Sequence, residues 1–258
     1  MSHALHAEWT KLRTVPGTRW LLVAVIALTV GLGAAAASGV TCSTADCGLD
    51  PAKVSLTGIE LGQVVVVILA VLVISGEYGT GMIRVTLAAM PRRTTVLAAK
   101  TTVVGGLVLA AGTFAVLGSV LVGRLILPGN GFTAAHGYRT LSLANGPVLR
   151  AAAGSVLYLG LIALLSLGLA TAVRESATAI GMVLGLLFLF PIVAALVADQ
   201  HWYRHLQQIG PMTAGLAIQA TTNLRSQPIG PWAGLGVLAG WAAAALLAGG
   251  VVLRMRDA

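Results

Sequence analysis

The chain has 258 residues, of which 57% are hydrophobic and 9% charged, and its mean hydropathy is +0.91. A soluble domain carries ~25% charged residues, so a water-soluble enzyme or binding module is excluded. The net charge of +8 does not point to nucleic acid, because the basic residues sit at the ends of apolar stretches and not on one soluble face.

The first segment is read as a helix lying along a membrane surface. Leu5, Trp9 and Leu12 recur at i, i+4 and i+7, which puts them on one face, while Glu8, Lys11 and Arg13 fall elsewhere. Pro16-Gly17 ends it, and Arg19-Trp20 begins the first apolar stretch. Six such stretches follow, at Trp20–Ser38, Ile59–Ser75, Val96–Val122, Val148–Val173, Ala177–Ala198 and Trp232–Leu253. Each is about long enough to cross a hydrocarbon core ~30 Å thick at ~1.5 Å per helical residue. The first is too long for a signal-peptide core of ~7–15 residues and is read as an uncleaved span. Runs of this length without period-2 alternation favour helices over a β-barrel.

Small residues four apart, Gly181 with Gly185 and Gly236 with Gly240, Ala244 and Ala248, predict close helix packing. Pro191 predicts a kink near Phe190 in the fifth span. The polar segments Gly123–Pro147 and Asp199–Pro231 are too short and apolar to fold alone. The chain is therefore expected to be one transmembrane domain over residues 1–258, with the interfacial helix in 1–19.

Six spans put both termini on one side. That side holds ten of the sixteen basic residues, in shorter segments, so the positive-inside rule makes the termini and the second and fourth loops cytoplasmic. Cys42 and Cys47, both in the first loop, exclude a cysteine-rich metal framework. If that loop faces outside they could close a small disulfide; two unpaired, inert thiols are the alternative.

The second loop, Ser75 to Lys100, carries Glu77, Arg84, Arg92, Arg93 and Lys100. Each would cost ~2.5–3.5 kcal/mol at mid-bilayer, so this stretch is placed outside the hydrocarbon. Gly79-Thr80-Gly81 reads as a helix start, Ile83 and Leu87 lie four apart, and Met90-Pro91 stops the helix. A short helix with an apolar ridge and flanking arginines, held between two spans, suits docking into a groove of a soluble partner.

The pattern Gly-Glu-Tyr-x-x-Gly-x-Ile-Arg-x-Thr-Leu-x-x-x-Pro-Arg-Arg over residues 76–93, followed by Lys100, resembles the permease subunits of type-two ABC transporters, the bacterial drug and antibiotic exporter group. The amphipathic N-terminus, the six spans and the stretch Ile209–Ile218, similar to that family's Pro-x-x-x-Gly extracellular hairpin, extend the resemblance over most of the chain. It implies an all-α membrane fold: six transmembrane helices, a cytoplasmic coupling helix between spans 2 and 3, and an extracellular helical hairpin between spans 5 and 6. It also implies a multi-pass protein of the bacterial plasma membrane whose function is export, including drug or antibiotic resistance. The coupling loop would comprise Glu77, Thr80, Ile83, Arg84, Thr86, Leu87, Pro91, Arg92 and Arg93. Glu77 would join the gate region or pair with a base such as Arg84; the residues alone equally allow a helix-end carboxylate meeting headgroups. Pro211 and Gly215 would belong to the outer hairpin and vestibule. Glu60, near the outer end of the second span, is read as lining the outer vestibule or, alternatively, as simply reaching headgroup water.

No phosphate-loop motif occurs. ATP and Mg2+ would therefore bind a separate ATPase subunit, in two copies serving two permease copies, and this chain would not itself be an enzyme or bind a cofactor. The remaining partner is membrane lipid. The deep spans lack the midplane carboxylate expected of an ion-driven carrier. His201 and His205 are four apart, but with Trp202 and Tyr203 beside them they are read as part of an interfacial helix, with no metal assigned. No catalytic constellation for an intramembrane hydrolase is present. The competing reading is a non-transport anchor or immunity protein that binds a toxin or another partner through its outer loops.

Overall fold

The computed structural model describes residues 2–14, 16–43, 47–79, 81–82 and 93–255. It is all-helical among them, and six of its helices are long and apolar enough to cross a membrane. The protein thus has a multi-pass membrane architecture. In chain order the helices are α1 (Ser2–Thr14), α2 (Pro16–Gly39), α3 (Pro51–Leu56), α4 (Ile59–Gly79), α5 (Arg93–Ile126), α6 (Gly146–Val173), α7 (Ser176–Leu196), α8 (Gln200–Ile209), α9 (Pro211–Leu216) and α10 (Pro231–Met255). Helices α2, α4, α5, α6, α7 and α10 correspond to the six expected spans. The ends of α4, α6 and α10 and the starts of α2, α5 and α7 share one side by the parity of the crossings. This side is called the terminal face below, and its opposite the distal face.

The helix ends follow local chemistry. Pro16 opens α2 directly after α1 ends at Thr14, since proline cannot continue a helix but suits its first turn. Asp50 caps α3, accepting from the backbone N–H of Ala52 and Lys53, with Pro51 in the first turn. Glu175 caps α7 through the N–H groups of Ala177 and Thr178. The Thr178 hydroxyl and these N–H groups hold the Glu175 carboxyl below its ordinary range. Helix α7 runs through Pro191 to Leu196.

Helices α4 and α6 form the centre. In their most apolar windows 61% of residues are buried, against 22% in α2 and α7. Helix α6 touches α4, α5, α7 and α10. The closest approaches use glycine: a Cβ on Gly168 of α6 would stand 2.5 Å from the Ala245 backbone of α10, and one on Gly249 2.5 Å from the Gly168 carbonyl. Such contact lets extended surfaces meet without a side chain between them.

The small residues singled out by spacing behave differently. Gly181, Gly185, Gly236 and Gly240 have nothing within 4 Å of where a Cβ would stand. They face away from this chain's own bundle, which corrects the expectation that they pack it. The spacing was real, but four-residue periodicity does not say which face a helix turns inward.

A second, smaller apolar cluster closes the distal face. Ala37, Cys42, Ala52, Leu127, Phe132, Leu141 and Val148 pack together. Cys42 and Cys47 are bonded there as a disulfide, with Cα atoms 5.8 Å apart. Of the two alternatives left by the sequence, the structure adopts the bonded one.

Candidate functional site: a buried charge cluster at the terminal face

Three helices meet at the terminal face through four charged side chains. Lys100 Nζ lies 2.7 Å from Glu8 Oε2 and 2.8 Å from Glu77 Oε1. Lys11 Nζ lies 2.9 Å from Glu77 Oε1 and 3.3 Å from Glu8 Oε1. The cluster is a closed ring of alternating sign with two acids and two bases. Helix α1 contributes Glu8 and Lys11, α4 contributes Glu77 in its last turn, and α5 contributes Lys100.

Burial gives this ring its weight. Glu8 and Lys100 are 1% exposed and Glu77 6%, so each has lost nearly all its water. A charge this buried is tolerated only when paired and hydrogen-bonded. Lys11 is half-buried; desolvation works to lower its pKa, but the hydrogen bond to Glu77 and the charges of Glu8 and Glu77 outweigh it, and the net shift is upward from 10.5. Glu77 Oε2 has no hydrogen-bond partner among the described residues. Beside the ring lies a cavity of about 410 Å3, walled by Leu21, Leu69, Leu72 and Val73 and bounded by the four charged residues.

The terminal face has two further ties. Ser176 Oγ donates to Ser75 Oγ at 2.8 Å, joining α7 to α4. The Arg174 guanidinium lies over the Tyr78 ring, 5.2 Å from its centroid. All these contacts converge on the last turns of α4, from which the chain runs through residues 80–92 to α5.

The sequence expectations divide as follows. Glu77 sits in the cluster, and its partners there are Lys11 and Lys100. Thr80, Ile83, Arg84, Thr86, Leu87, Pro91 and Arg92 lie outside the described residues, as does the side chain of Arg93, whose backbone opens α5. Lys100 is not a loop residue: it lies two turns into α5, kept from lipid by Glu8 and Glu77. Glu8 lies off the Trp9 face of α1, as its spacing places it, and that side turns toward α5. Its carboxylate is the buried group, whereas Trp9 is 48% exposed. The signal available was the Glu8–Lys11 pair at i, i+3; its long-range partner Lys100, 92 positions away, left none.

At the distal face, Pro211 and Gly215 are buried in α9, and a Cβ on Gly215 would stand 2.7 Å from the Tyr158 ring. They pack α9 onto the bundle against Tyr158. Glu60 is partly exposed in the first turn of α4. One turn further in, the fully buried Gln63 donates to the Glu60 carbonyl at 3.0 Å and accepts from the Tyr158 hydroxyl. Asp50, besides capping α3, accepts from Thr221 Oγ1 at 2.6 Å and from Thr222 N at 3.1 Å, tying the first loop to the segment after α9.

What the terminal cluster can do is mechanical. It holds α1 and both helices flanking residues 80–92 in one arrangement: each charge has two partners of opposite sign, so removing a side chain leaves its neighbours with half their compensation in a buried site. Among the described residues no group of three or more His, Cys, Asp or Glu could hold a metal. No protein-family model and no curated protein matches the chain.

Proposed function

We propose that this chain is the membrane-spanning subunit of an ATP-driven exporter of the type-two ABC class, acting as one of two permease copies served by a separate ATPase. The observation that carries the reading is the four-charge ring, which fastens the two helices flanking residues 80–92 to α1. A docking helix is useful only if a push on it moves more than itself. With Glu77 and Lys100 locked to Glu8 and Lys11, displacement of the hairpin would carry α1, α4 and α5 together.

In this mechanism ATP, with Mg2+, closes two copies of the partner ATPase. They press on the hairpin around residues 83–89 from the cytoplasmic side of the bacterial plasma membrane. The spans tilt as rigid units and open the path between the two permeases outward. The ATPase shifts this equilibrium only to the extent that it binds one arrangement more tightly. The outward-facing small residues of α7 and α10 suit close approach of a second copy. The cargo is hydrophobic or amphiphilic, in keeping with the aliphatic spans, and drugs or antibiotics belong to that class.

The test is copurification of the permease with a soluble phosphate-loop protein encoded beside it. Arg84→Glu and Leu87→Asp are each expected to reduce the amount of ATPase retained. Unchanged complex formation and transport in both variants would overturn the docking role.

A second reading is favoured by a different observation. The distal face has a cavity of about 550 Å3 lined by loop residues including Leu49, His136, Arg139, Asn145 and Thr222. Such a recess suits an anchor or immunity protein that holds a toxin or partner at the outer surface without moving it. Protection of cells that survives inactivation of the ATPase would favour this reading over export.

A further inference from the structure

The histidines of α8 are arranged for a task that neither reading uses. We propose that His201 and His205 form a two-imidazole site for a tetrahedral late first-row divalent cation, zinc foremost. The two residues are one turn apart on the exposed side of α8, and their Nε2 atoms face each other at 3.3 Å. Their ring centroids are 4.4 Å apart with planes inclined at 74°.

That separation has a specific meaning. Two nitrogen ligands ~2.0–2.1 Å from a tetrahedral zinc ion, subtending ~109°, lie about 3.3–3.4 Å from each other. A cis pair on a square-planar ion with bonds of ~2.0 Å would lie only about 2.8–2.9 Å apart. The observed 3.3 Å matches the tetrahedral separation. With the proton on Nδ1 of both imidazoles, the two Nε2 lone pairs become available together, which is the donor type that zinc takes.

The surroundings hold the pair in place. Asp199 is committed to the helix start, its Oδ1 accepting from His201 N at 2.7 Å and Trp202 N at 3.2 Å, so it fixes the first turn and supplies no ligand. The Trp202 ring lies 6.5 Å from that of His205, in edge contact. Both histidines are exposed, so an ion reaches them from solvent and water completes its shell. Two protein ligands make the site open and reversible, unlike the four-ligand sites that hold zinc permanently.

The consequence is local. Helix α8 has ten residues, a length that is marginal without support, and an ion bridging i and i+4 staples it. The helix is bonded onward through Gln208, whose Nε2 donates to the Pro228 carbonyl at 2.7 Å, and through Gln207, whose carbonyl accepts from Thr213 Oγ1 at 3.0 Å. Zinc would therefore stiffen the connection between α7 and the α9 hairpin.

The experiment uses the full chain, purified in an uncharged detergent with a tag free of histidine, and titrated with zinc chloride and magnesium chloride by calorimetry. One zinc per chain and no heat from magnesium are expected. His201→Ala or His205→Ala should weaken zinc binding at least about tenfold, because either removes half the donor set, whereas His136→Ala should leave it unchanged. A second measurement needs no variant: zinc should protect His201 and His205 of the unaltered chain from diethyl pyrocarbonate, read by mass spectrometry. Equal modification with and without zinc, or undiminished affinity in both alanine variants, would overturn the site and reduce the pair to a hydrogen bond between two rings.

Discussion

At the terminal face three helices are joined by four full charges of alternating sign; at the distal face the joints are neutral hydrogen bonds, an arginine on a backbone carbonyl, an aspartate shared between a helix cap and a loop, and a disulfide. Both faces bury polar groups, but the consequences of disturbing them differ. A neutral joint such as Tyr158 to Gln63 fails locally and leaves one unsatisfied acceptor. The ring of Glu8, Lys11, Glu77 and Lys100 fails as a unit, because removing one member leaves its neighbours charged in a site with little water. The terminal face is thus fastened as one unit, and the distal face by separate joints.

The comparison is broken most severely by Lys100→Met. It leaves Glu8 and Glu77 facing each other across a buried gap with Lys11 alone between them. A loss of about 3–5 kcal/mol is expected, the range for stranding one half of a buried pair, measured as a lowered unfolding midpoint in detergent. The double variant Glu8→Leu, Lys100→Met should lose less than the sum of its single variants, because the two positions are in direct contact. Strict additivity would mean that the ring is not a cooperative unit.

Tyr158→Phe tests the distal face. It removes the hydroxyl that donates to Gln63 Oε1 and strands a buried acceptor, which typically costs about 1–3 kcal/mol. The loss should appear in the same unfolding measurement and should be smaller than that of Lys100→Met. A larger loss would reverse the ranking of the two faces.

The smallest effect is a pH dependence confined to the terminal face. Lys11 is held above its ordinary 10.5 by Glu77 and Glu8, so it binds its proton more tightly folded than unfolded. Its contribution is fully present below about 10.5 and is lost as pH rises through the higher folded value. Stability between neutral pH and pH 9 should therefore be independent of this group. Above about 10.5 the wild type should weaken more steeply than Lys11→Met. Parallel curves for the two proteins would show that Lys11 takes no part in holding the ring.

Much of the fold was legible because hydrophobicity and length act locally. The six spans, the break at Pro16 and the helix around Trp202 and Tyr203 are each determined by a few neighbouring residues. Helix α5 extends past the Val96–Val122 stretch at both ends and takes in Arg124, because a span is read from its apolar residues alone. The site was half legible: Glu77 reads as a charged residue with a task, but the spacing of Glu8 and Lys11 shows no partner beyond α1. An amphipathic pattern separates two faces without saying which one turns toward the protein, and in a membrane the apolar face has lipid as an alternative to the core.

By itself the sequence determined that the chain crosses a membrane six times as helices, because nothing else satisfies so apolar a backbone in a place without water. Only the tertiary structure decided which charges meet. Glu8, Glu77 and Lys100 are far apart along the chain and share no local motif, and a buried charge takes whatever opposite partner the packing of three helices brings within reach. The same reason separates the glycines: Gly168 and Gly249 mark a helix crossing while Gly181 and Gly236 face outward, a difference set by helix rotation about its own axis, which spacing alone does not encode.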